Sequence, residues 1–233
     1  MMLIRPSVSK DASSLALLSL EVWSTTYLRR GINAFFAEYA LEEFSRPGFE
    51  AVLCDPFEIL LVAEKNRLVQ GYIRLALNSN CGLEGTGVAE IKTLYVRPRH
   101  HHRGIGKALL RAGLSALEAA GHTSPWLRVN AQNQEAMGFY TAQGFERVGK
   151  RNFCIGDAQF LKLYSVLHRV TVLRVPQGFA RRITRHFSIG KPRVSGQRNF
   201  RPAHRVPALK KDQGTWPSNV PSASLNQTQP TAI

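Results

Sequence analysis

Apolar and polar residues alternate along the first 170 positions in blocks that predict strands and helices in turn. Strands are predicted where short apolar or alternating runs lie between turn-forming residues, and helices where apolar residues recur every three or four positions. The predicted strands cover residues 2–7, 58–77 (two strands with a tight turn at Lys65–Asn66), 89–96, 125–130, 145–153 and 157–167. The predicted helices cover residues 11–27, 33–44, 104–120 and 133–145.

The ends of these helices carry residues that commonly terminate helices. Asp11 and Asn133 are placed to cap the first and the last helix, because their side-chain oxygens can accept hydrogen bonds from free backbone N–H groups. Gly121 and Gly144 are placed to end the last two helices, as glycine often does. A chain that mixes strands and helices in this way predicts an α+β architecture with helices packed on a sheet.

The pattern ends near residue 170, where the composition of the chain changes. Residues 171–233 contain 11 Lys and Arg but one Asp, a net charge of +10, whereas residues 1–170 carry +5. Scattered Pro and Gly, without a periodic apolar face, predict a disordered basic tail. We therefore expect one folded domain at 1–170 and a tail at 171–233.

Composition also bears on the cellular setting. The sequence has no run of 18 apolar residues, so no membrane span is expected. The chain turns polar after Ile4, unlike a secretory signal peptide. Three widely spaced cysteines, Cys54, Cys81 and Cys154, favour buried or free thiols over a disulfide framework. Together these features predict a cytoplasmic protein.

The stretch "VRPRHHHRGIGKALLRAG" at 96–113 joins a predicted strand to a predicted helix and carries the densest candidate chemistry. A metal site is disfavoured, because His100, His101 and His102 are consecutive and lack a partner at the usual ligand spacing. A P-loop needs G-x-x-x-x-G-K-[ST], and here His101 replaces the first Gly and Ala108 the Ser or Thr. The dinucleotide pattern G-x-G-x-x-G fails at its third glycine.

Two interpretations of this stretch remain. The glycines can simply begin a helix behind a solvated basic run. Alternatively, Gly104 and Gly106 let the backbone N–H groups of a helix N-terminus approach an anion closely, while Arg103 and Lys107 add positive charge. The second interpretation predicts a pyrophosphate site that is built mainly from the polypeptide backbone.

The residues around this loop resemble the GCN5-related N-acetyltransferase (GNAT) superfamily. Its acetyl-CoA loop, Q/R-x-x-G-x-G/A, matches "HHRGIG" at 101–106, although His101 stands where the family has Gln or Arg. "AEIKTLYVRP" resembles the family's fourth strand, and "WLRVNAQNQEAMGFYTAQGF" resembles its fifth strand and fourth helix. The resemblance covers about residues 2–168. It implies a mixed, mostly antiparallel α/β sheet whose strands four and five splay apart, with helices on both faces.

The resemblance further implies an acyltransferase that moves the acetyl group of acetyl-CoA, a co-substrate, directly to a primary amine. It assigns three groups of residues to acetyl-CoA. They are Leu94, Tyr95 and Val96 along the pantetheine, the loop residues His101, His102, Arg103, Gly104, Ile105, Gly106 and Lys107 around the pyrophosphate, and Asn133 with Ala136 on the helix after strand five. Simpler interpretations stay open, since residues 94–96 can be a half-buried strand and Asn133 an ordinary helix cap.

A general acid is implied at Tyr140, seven residues after Asn133, where the family places its tyrosine near the thioester sulfur. A phenol with a pKa near ~10 is a plausible donor to a leaving thiolate. The alternative is a buried aromatic residue beside Phe139 and Phe145.

A general base is needed, because an alkylamine with a pKa near ~10 is mostly protonated at pH 7. Glu90 precedes the loop pattern by 11 positions, which resembles the base glutamate of the histone-acetylating branch. The alternative for Glu90 is an exposed strand residue. The branch that acetylates ribosomal protein N-termini carries its glutamate where this chain has Arg128, which argues against that branch.

The acceptor is weakly encoded in the sequence. Trp23, Tyr27 and Tyr39 on the first two helices are candidates to line its cleft, but they are equally typical of core aromatics. A metabolite amine, a polyamine, an aminoglycoside-like compound and a peptide amine all stay open. The alternative function is a CoA-binding regulatory or nucleic-acid-associated protein, since a +10 tail can neutralise phosphates. Attraction of polyanions by the tail and formation of a homodimer are further hypotheses about partners.

Overall fold

The computed structural model describes residues 2–28, 31–83, 86–155 and 158–168, without the side chains of Tyr27 and of residues 153–160. The predicted basic tail at 171–233 lies outside the described residues. The domain boundary at residue 170 therefore stays a prediction.

Within the described residues, seven strands form one sheet. They are β1 (Met2–Pro6), β2 (Glu58–Lys65), β3 (Leu68–Ala76), β4 (Glu90–Val96), β5 (Trp126–Asn130), β6 (Glu146–Ile155) and β7 (Ala158–Val166). Their order in the sheet is β1-β2-β3-β4-β5-β7-β6. Every neighbouring pair is antiparallel except β4 and β5, which are parallel. The mixed, mostly antiparallel sheet predicted from the sequence is confirmed.

Helices cover both faces of this sheet. They are α1 (Ala12–Tyr27), α2 (Ala34–Glu43), α3 (Arg46–Cys54), α4 (Ile105–Ala119) and α5 (Gln134–Ala142). Helices α4 and α5 share one apolar cluster with one face of the sheet, and α1 and α3 share a second cluster with the opposite face. The prediction of helices on both faces is confirmed.

Neighbouring residues of the same strand belong to different apolar clusters. In β2, Leu61 packs with Leu109 of α4, whereas Leu60 packs with Leu15 of α1. Successive side chains of a strand point to opposite faces. The almost continuous apolar run of β2 is therefore required by burial on both sides, and six of its eight residues are buried.

The sequence analysis did not predict helix α3, because "RPG" at 46–48 is typical of a turn. Ser45 caps α3 by accepting a hydrogen bond from the Gly48 N–H at 3.2 Å. Pro47 lies in the first helical turn, where its missing N–H is not needed. Phe49 is the only residue of α3 that is buried, and Val52 and Leu53 are partly buried against the same cluster.

Two local predictions were wrong. Asp11 does not cap α1: its carboxylate accepts a hydrogen bond from the Val8 N–H at 2.9 Å and pairs with Arg5 at 2.7 Å, so it closes the turn before the helix. The β2–β3 turn lies at Asn66–Arg67 rather than Lys65–Asn66. Both turn residues have positive φ, 53° and 62°, as expected of a two-residue type I′ turn.

Two further observations bear on the predicted cellular setting. Cys54 and Cys81 are free thiols. Among the described residues, no helix combines the length and the apolar character that crossing a membrane requires.

Candidate active site

The parallel pair β4 and β5 separates almost as soon as it forms. Only Glu90 with Trp126 and Ile91 with Leu127 are paired. Lys92 is an extra residue in β4 opposite the β3 register shift at Arg74/Leu75, and a bulge of this kind bends a strand. Beyond Ile91 the edge of β4 facing β5 has no strand partner among the described residues. Its backbone polar groups therefore border a gap in the sheet.

The histidine-rich loop begins at the end of β4 and is folded back on it. His101, which replaces the family's Gln or Arg, donates its Nε2–H to the Val96 carbonyl at 2.9 Å. His102 adopts a left-handed φ of 57°, and its Nε2 lies 3.4 Å from Glu135 Oε1 on α5. One histidine thus fastens the loop to the strand, and the next faces the helix that follows β5.

The N-terminus of α4 lies at the end of this loop without a side-chain cap. Its first helical hydrogen bond runs from the Ala108 N–H to the Gly104 carbonyl. The N–H groups of Ile105, Gly106 and Lys107 have no acceptor among the described residues. Gly104 has a φ of +76°, and a Cβ added there would meet no atom within 4 Å. The result is an open ring of backbone donors, with the positive end of a 15-residue helix behind it.

Positive charge surrounds these donors. The basic side chains of Arg103 and Lys107 are exposed. Burial and the neighbouring Arg103 and Arg97 guanidinium groups lower the pKa of His100 below its ordinary value. His100 is therefore mostly neutral at pH 7. In the described part of the chain, no three His, Cys, Asp or Glu side chains gather as metal ligands would.

Helix α5 forms the other wall on this face of the sheet. The side chain of Asn133 accepts a hydrogen bond from the Ala136 N–H at 3.0 Å, so the interpretation of Asn133 as a helix cap is confirmed. Ala136 is buried. Tyr140 is 9% exposed and packs edge-on against Phe139 and Phe145.

The Tyr140 hydroxyl has no hydrogen-bond partner among the described residues. Burial raises the pKa of this phenol above its ordinary value. The group therefore stays protonated across the neutral and mildly alkaline range, and it retains a proton to donate.

The β4 residues 94–96 present their side chains to both faces of the sheet. Leu94 and Val96 are buried in the cluster with α4 and α5, and Tyr95 packs edge-on against Tyr72 on the opposite face. Their side chains therefore belong to the two cores, as the simpler interpretation holds. Only their backbone borders the gap between β4 and β5.

Glu90 lies at the start of β4, on the face opposite to α4, and it is 2% exposed. The alternative interpretation of Glu90, an exposed strand residue, is therefore wrong. Its Oε2 accepts a hydrogen bond from the Ser79 hydroxyl at 2.7 Å, and its Oε1 lies 3.2 Å from the Arg128 Nε. Arg128 follows Trp126 by two residues on β5 and so points to the same face. Glu90 is thus a buried carboxylate held between a β3–β4 loop residue and a β5 residue.

Further charged groups lie on the same face. Glu58 forms a bidentate pair with Arg74, at 3.0 and 2.8 Å, and lies 3.3 Å from the Lys92 Nζ. On α1, Trp23 is buried in a cluster of aromatic rings with Phe36, Tyr39 and Phe44. Trp23 and Tyr39 thus join the packing between α1 and α2, and the side chain of Tyr27 lies outside the described residues.

Sequence reasoning missed the partners of Glu90. Ser79 lies in the polar segment "NSNCG", which carries no pattern that would single it out. Arg128 was considered only because another branch of the family has a glutamate at its position. It also missed the pair between Arg97, which begins the loop, and Glu21 of α1, at 2.8 Å. These contacts join residues far apart in the sequence, and a single sequence carries no signal for them.

The fold and this site together define a class: a splayed, mostly antiparallel sheet with an open helix N-terminus at the splay, as in acetyltransferases of the GNAT type. Residues 22–145 match the model of the acetyltransferase (GNAT) family. An uncharacterised N-acetyltransferase of Mycobacterium tuberculosis (strain H37Rv) is 27% identical over 146 residues, which is 63% of this chain and 90% of that protein.

Solved structures agree with the fold. The PaiA N-acetyltransferase of Thermoplasma acidophilum, in complex with coenzyme A, has a TM-score of 0.56 at 22% identity over 70% of this chain and 98% of that chain. YncA of Salmonella typhimurium, with acetyl-CoA, has a TM-score of 0.52 at 18% identity over 76% of this chain and 98% of that chain. The chain belongs to the GNAT acetyltransferase family, and the resemblance seen in the sequence is confirmed.

Proposed function

We propose that this enzyme transfers the acetyl group of acetyl-CoA to a primary amine by direct attack. The observation that carries the proposal is the uncapped N-terminus of α4 at the end of β4, beside the gap between β4 and β5. Backbone donors and a helix dipole favour a phosphate group there. The relatives with coenzyme A and with acetyl-CoA share this fold.

The chain's own residues fit acetyl-CoA. The N–H groups of residues 105–107, with the Arg103 and Lys107 side chains, would hold the pyrophosphate. The space beyond Gly104, which a Cβ would enter, would take the phosphate oxygens. The open edge of β4 at residues 94–96 would lie along the amide groups of the pantetheine. In this proposal His101 holds the loop rather than the ligand, since its Nε2–H is already donated to Val96.

Proton transfer is assigned to two residues on opposite faces of the sheet. Tyr140, on the face with α4 and α5, gives its proton to the departing thiolate. Glu90, on the face with α1 and α3, receives a proton from the acceptor amine, which must be neutral to attack the thioester carbon. The gap between β4 and β5 begins just after Glu90 and Ile91, and in this proposal the acetyl group lies in that gap.

The amine is proposed to reach the site from the face with α1 and α3. That face carries the buried carboxylates Glu58 and Glu90 and the rings around Trp23, whereas α4 and α5 cover the other. A cationic amine is attracted by carboxylates, although Arg74, Lys92 and Arg128 offset much of this charge. This balance leaves the class of amine open among metabolite amines, polyamines, aminoglycoside-like compounds and peptide amines.

The test is a panel of these four amine classes incubated with acetyl-CoA, with release of the free thiol measured across pH 7 to 10. We expect turnover with at least one class. Glu90→Gln should lower the rate most near pH 7, and the loss should shrink as the amine deprotonates by itself near its pKa of about 10. Glu50→Gln is the matched control, because Glu50 forms an exposed pair with Arg46 on α3. A loss in Glu90→Gln that is equal at every pH would contradict the base role.

A further inference from the structure

The carboxylate of Glu90 is inaccessible where it lies. The residue is 2% exposed, and its Oε1 is a buried atom without a hydrogen-bond partner among the described residues. An acceptor amine therefore cannot contact this carboxylate directly in the structure. If Glu90 is the base of the proposed reaction, on which this inference rests, a proton must reach it through a neighbouring group.

Among the described residues, two polar side chains adjoin the Glu90 carboxylate, and they differ in chemistry. The Arg128 guanidinium, whose side chain is 42% exposed, lies 3.2 Å from Oε1. An arginine side chain remains protonated in proteins and offers no acceptor atom, so it cannot take up a proton from an amine. The Ser79 hydroxyl donates to Oε2 at 2.7 Å, and a hydroxyl can accept one proton while it gives up another.

Ser79 is also held firmly in position. Its backbone N–H donates to the Val88 carbonyl at 2.6 Å, and its carbonyl accepts the Trp126 Nε1–H at 2.9 Å. Both contacts use the backbone, which leaves the hydroxyl as the one side-chain group of this residue. Ser79 is half-buried, so it is more accessible than the Glu90 carboxylate that it contacts.

We propose that Ser79 is a catalytic proton relay between the acceptor amine and Glu90. The ammonium group of the acceptor gives a proton to the Ser79 oxygen as the Ser79 hydroxyl proton passes to Glu90 Oε2. The amine becomes neutral, the serine is again a hydroxyl, and Glu90 becomes a neutral acid, so protons and charges balance. Arg128 takes no proton and holds the carboxylate in place.

The test compares Ser79→Ala, Ser79→Thr and the double variant Ser79→Ala with Glu90→Gln, using the full chain and the best amine of the panel. Ser79→Ala removes the hydroxyl but keeps both backbone hydrogen bonds. We expect its turnover at pH 7 to fall by about tenfold or more, near the lower end of effects on general acid–base catalysis, since water can partly replace the hydroxyl. The loss should shrink to about threefold or less near the amine pKa of about 10.

The other variants separate a relay from a structural role. Ser79→Thr keeps a hydroxyl and should retain most of the rate. In the Glu90→Gln background, Ser79→Ala should cause little further loss, because both changes interrupt the same proton path. Ser124→Ala is the matched control, since the Ser124 hydroxyl bonds only to a backbone carbonyl, that of His168, at 3.2 Å.

Each outcome decides between distinct claims. Unchanged turnover of Ser79→Ala at pH 7, a loss that is the same at every pH, or full additivity with Glu90→Gln would overturn the relay while the acetyltransferase proposal stands. A wild-type chain that releases no thiol with any amine would overturn the proposed function itself and the relay with it.

Discussion

The two faces of the sheet are built on different principles. The face with α4 and α5 joins a large apolar cluster to a ring of backbone donors, and its chemistry depends on helix ends and glycine conformation. The face with α1 and α3 carries the buried side chains Glu58 and Glu90, which are paired with arginines from other strands. Backbone donors are present whatever the side chains are, so the first face can bind an anion in many different sequences. The second face depends on particular side-chain pairs between residues far apart in the sequence.

Under the proposed function, this difference assigns general and particular functions to separate places. A pyrophosphate is common to every reaction of acetyl-CoA, and backbone N–H groups suffice to bind it. The acceptor differs between enzymes, and side chains are needed to recognise it. Four substitutions test this division, from the largest expected effect to the smallest.

The largest effect is expected at Tyr140, on the face with α4 and α5. Tyr140→Phe should lower kcat by about 10²-fold or more, the range assigned to general acid–base catalysis, and keep the affinity for acetyl-CoA. Because burial raises the pKa of this phenol, it stays protonated, and the wild-type rate should not fall between pH 7 and 9 through Tyr140 ionisation. Steady-state kinetics and calorimetric titration measure both quantities. Unchanged turnover in Tyr140→Phe would contradict the general-acid role and leave Tyr140 as a core packing residue.

A loss of stability is expected on the other face when Arg128 is replaced. Arg128→Met removes the cation beside Glu90 Oε1 and leaves a buried carboxylate poorly compensated. We expect a decrease of about 1–3 kcal/mol in the free energy of unfolding, which is less than the loss of a fully buried ion-pair partner because the Arg128 side chain is partly exposed. The matched control is Arg147→Met on β6, an exposed arginine without an ion pair among the described residues, which should change stability by less than about 0.5 kcal/mol. Equal losses in urea denaturation would contradict the importance of the pair.

Acetyl-CoA affinity should respond to Gly104. A valine there fills the space in front of the helix N-terminus, so the dissociation constant should rise by about tenfold or more, or 1.4 kcal/mol. Gly121→Val is a close control, because Gly121 follows the other end of α4 with a φ of +87° and equally open surroundings. Backbone strain is therefore matched, and only the ligand site differs. Affinities for acetyl-CoA that agree within about threefold in the two variants would contradict phosphate binding at this helix end.

The smallest effect is expected at Gly138, inside α5, where a Cβ would meet nothing within 4 Å. Gly138→Ala should raise the free energy of unfolding by about 0.5–1 kcal/mol, since alanine favours a helix more than glycine does. Turnover should not change, because this surface of α5 belongs to neither wall of the proposed site. A loss of activity with normal stability would extend the site onto that surface.

The face with α4 and α5, whose chemistry depends on the backbone, was the more predictable of the two faces. The spacing of "HHRGIG" and of the residues from Leu127 to Phe145 identifies a strand, a loop and a helix that are local in sequence, and the structure has these elements there. Predictions from the local sequence failed where two sequence signals favour different structures. At 46–48 the Pro-Gly pair signals a turn, but Ser45 and the proline begin a helix. Asp11 has the features of a cap, but Arg5 and Val8 occupy its carboxylate.

The half that depends on side-chain pairs could not be predicted. Glu90 was singled out by its distance from the loop, yet its burial and its contacts with Ser79 and Arg128 arise only when three separate segments meet. The expected acceptor aromatics illustrate the same limit. Trp23 has the helical spacing of both a core residue and a cleft residue, and only the position of α2 decides that it packs with Phe36 and Phe44.

The brief contact between β4 and β5 also divides the sheet into two groups of strands. Strands β1 to β4 pair with one another in sequence order, and β5 pairs over its full length with β7. Two residue pairs join these two groups. A ligand that contacts both groups favours the joined state by mass action, so we expect saturating acetyl-CoA to raise the melting temperature of the enzyme.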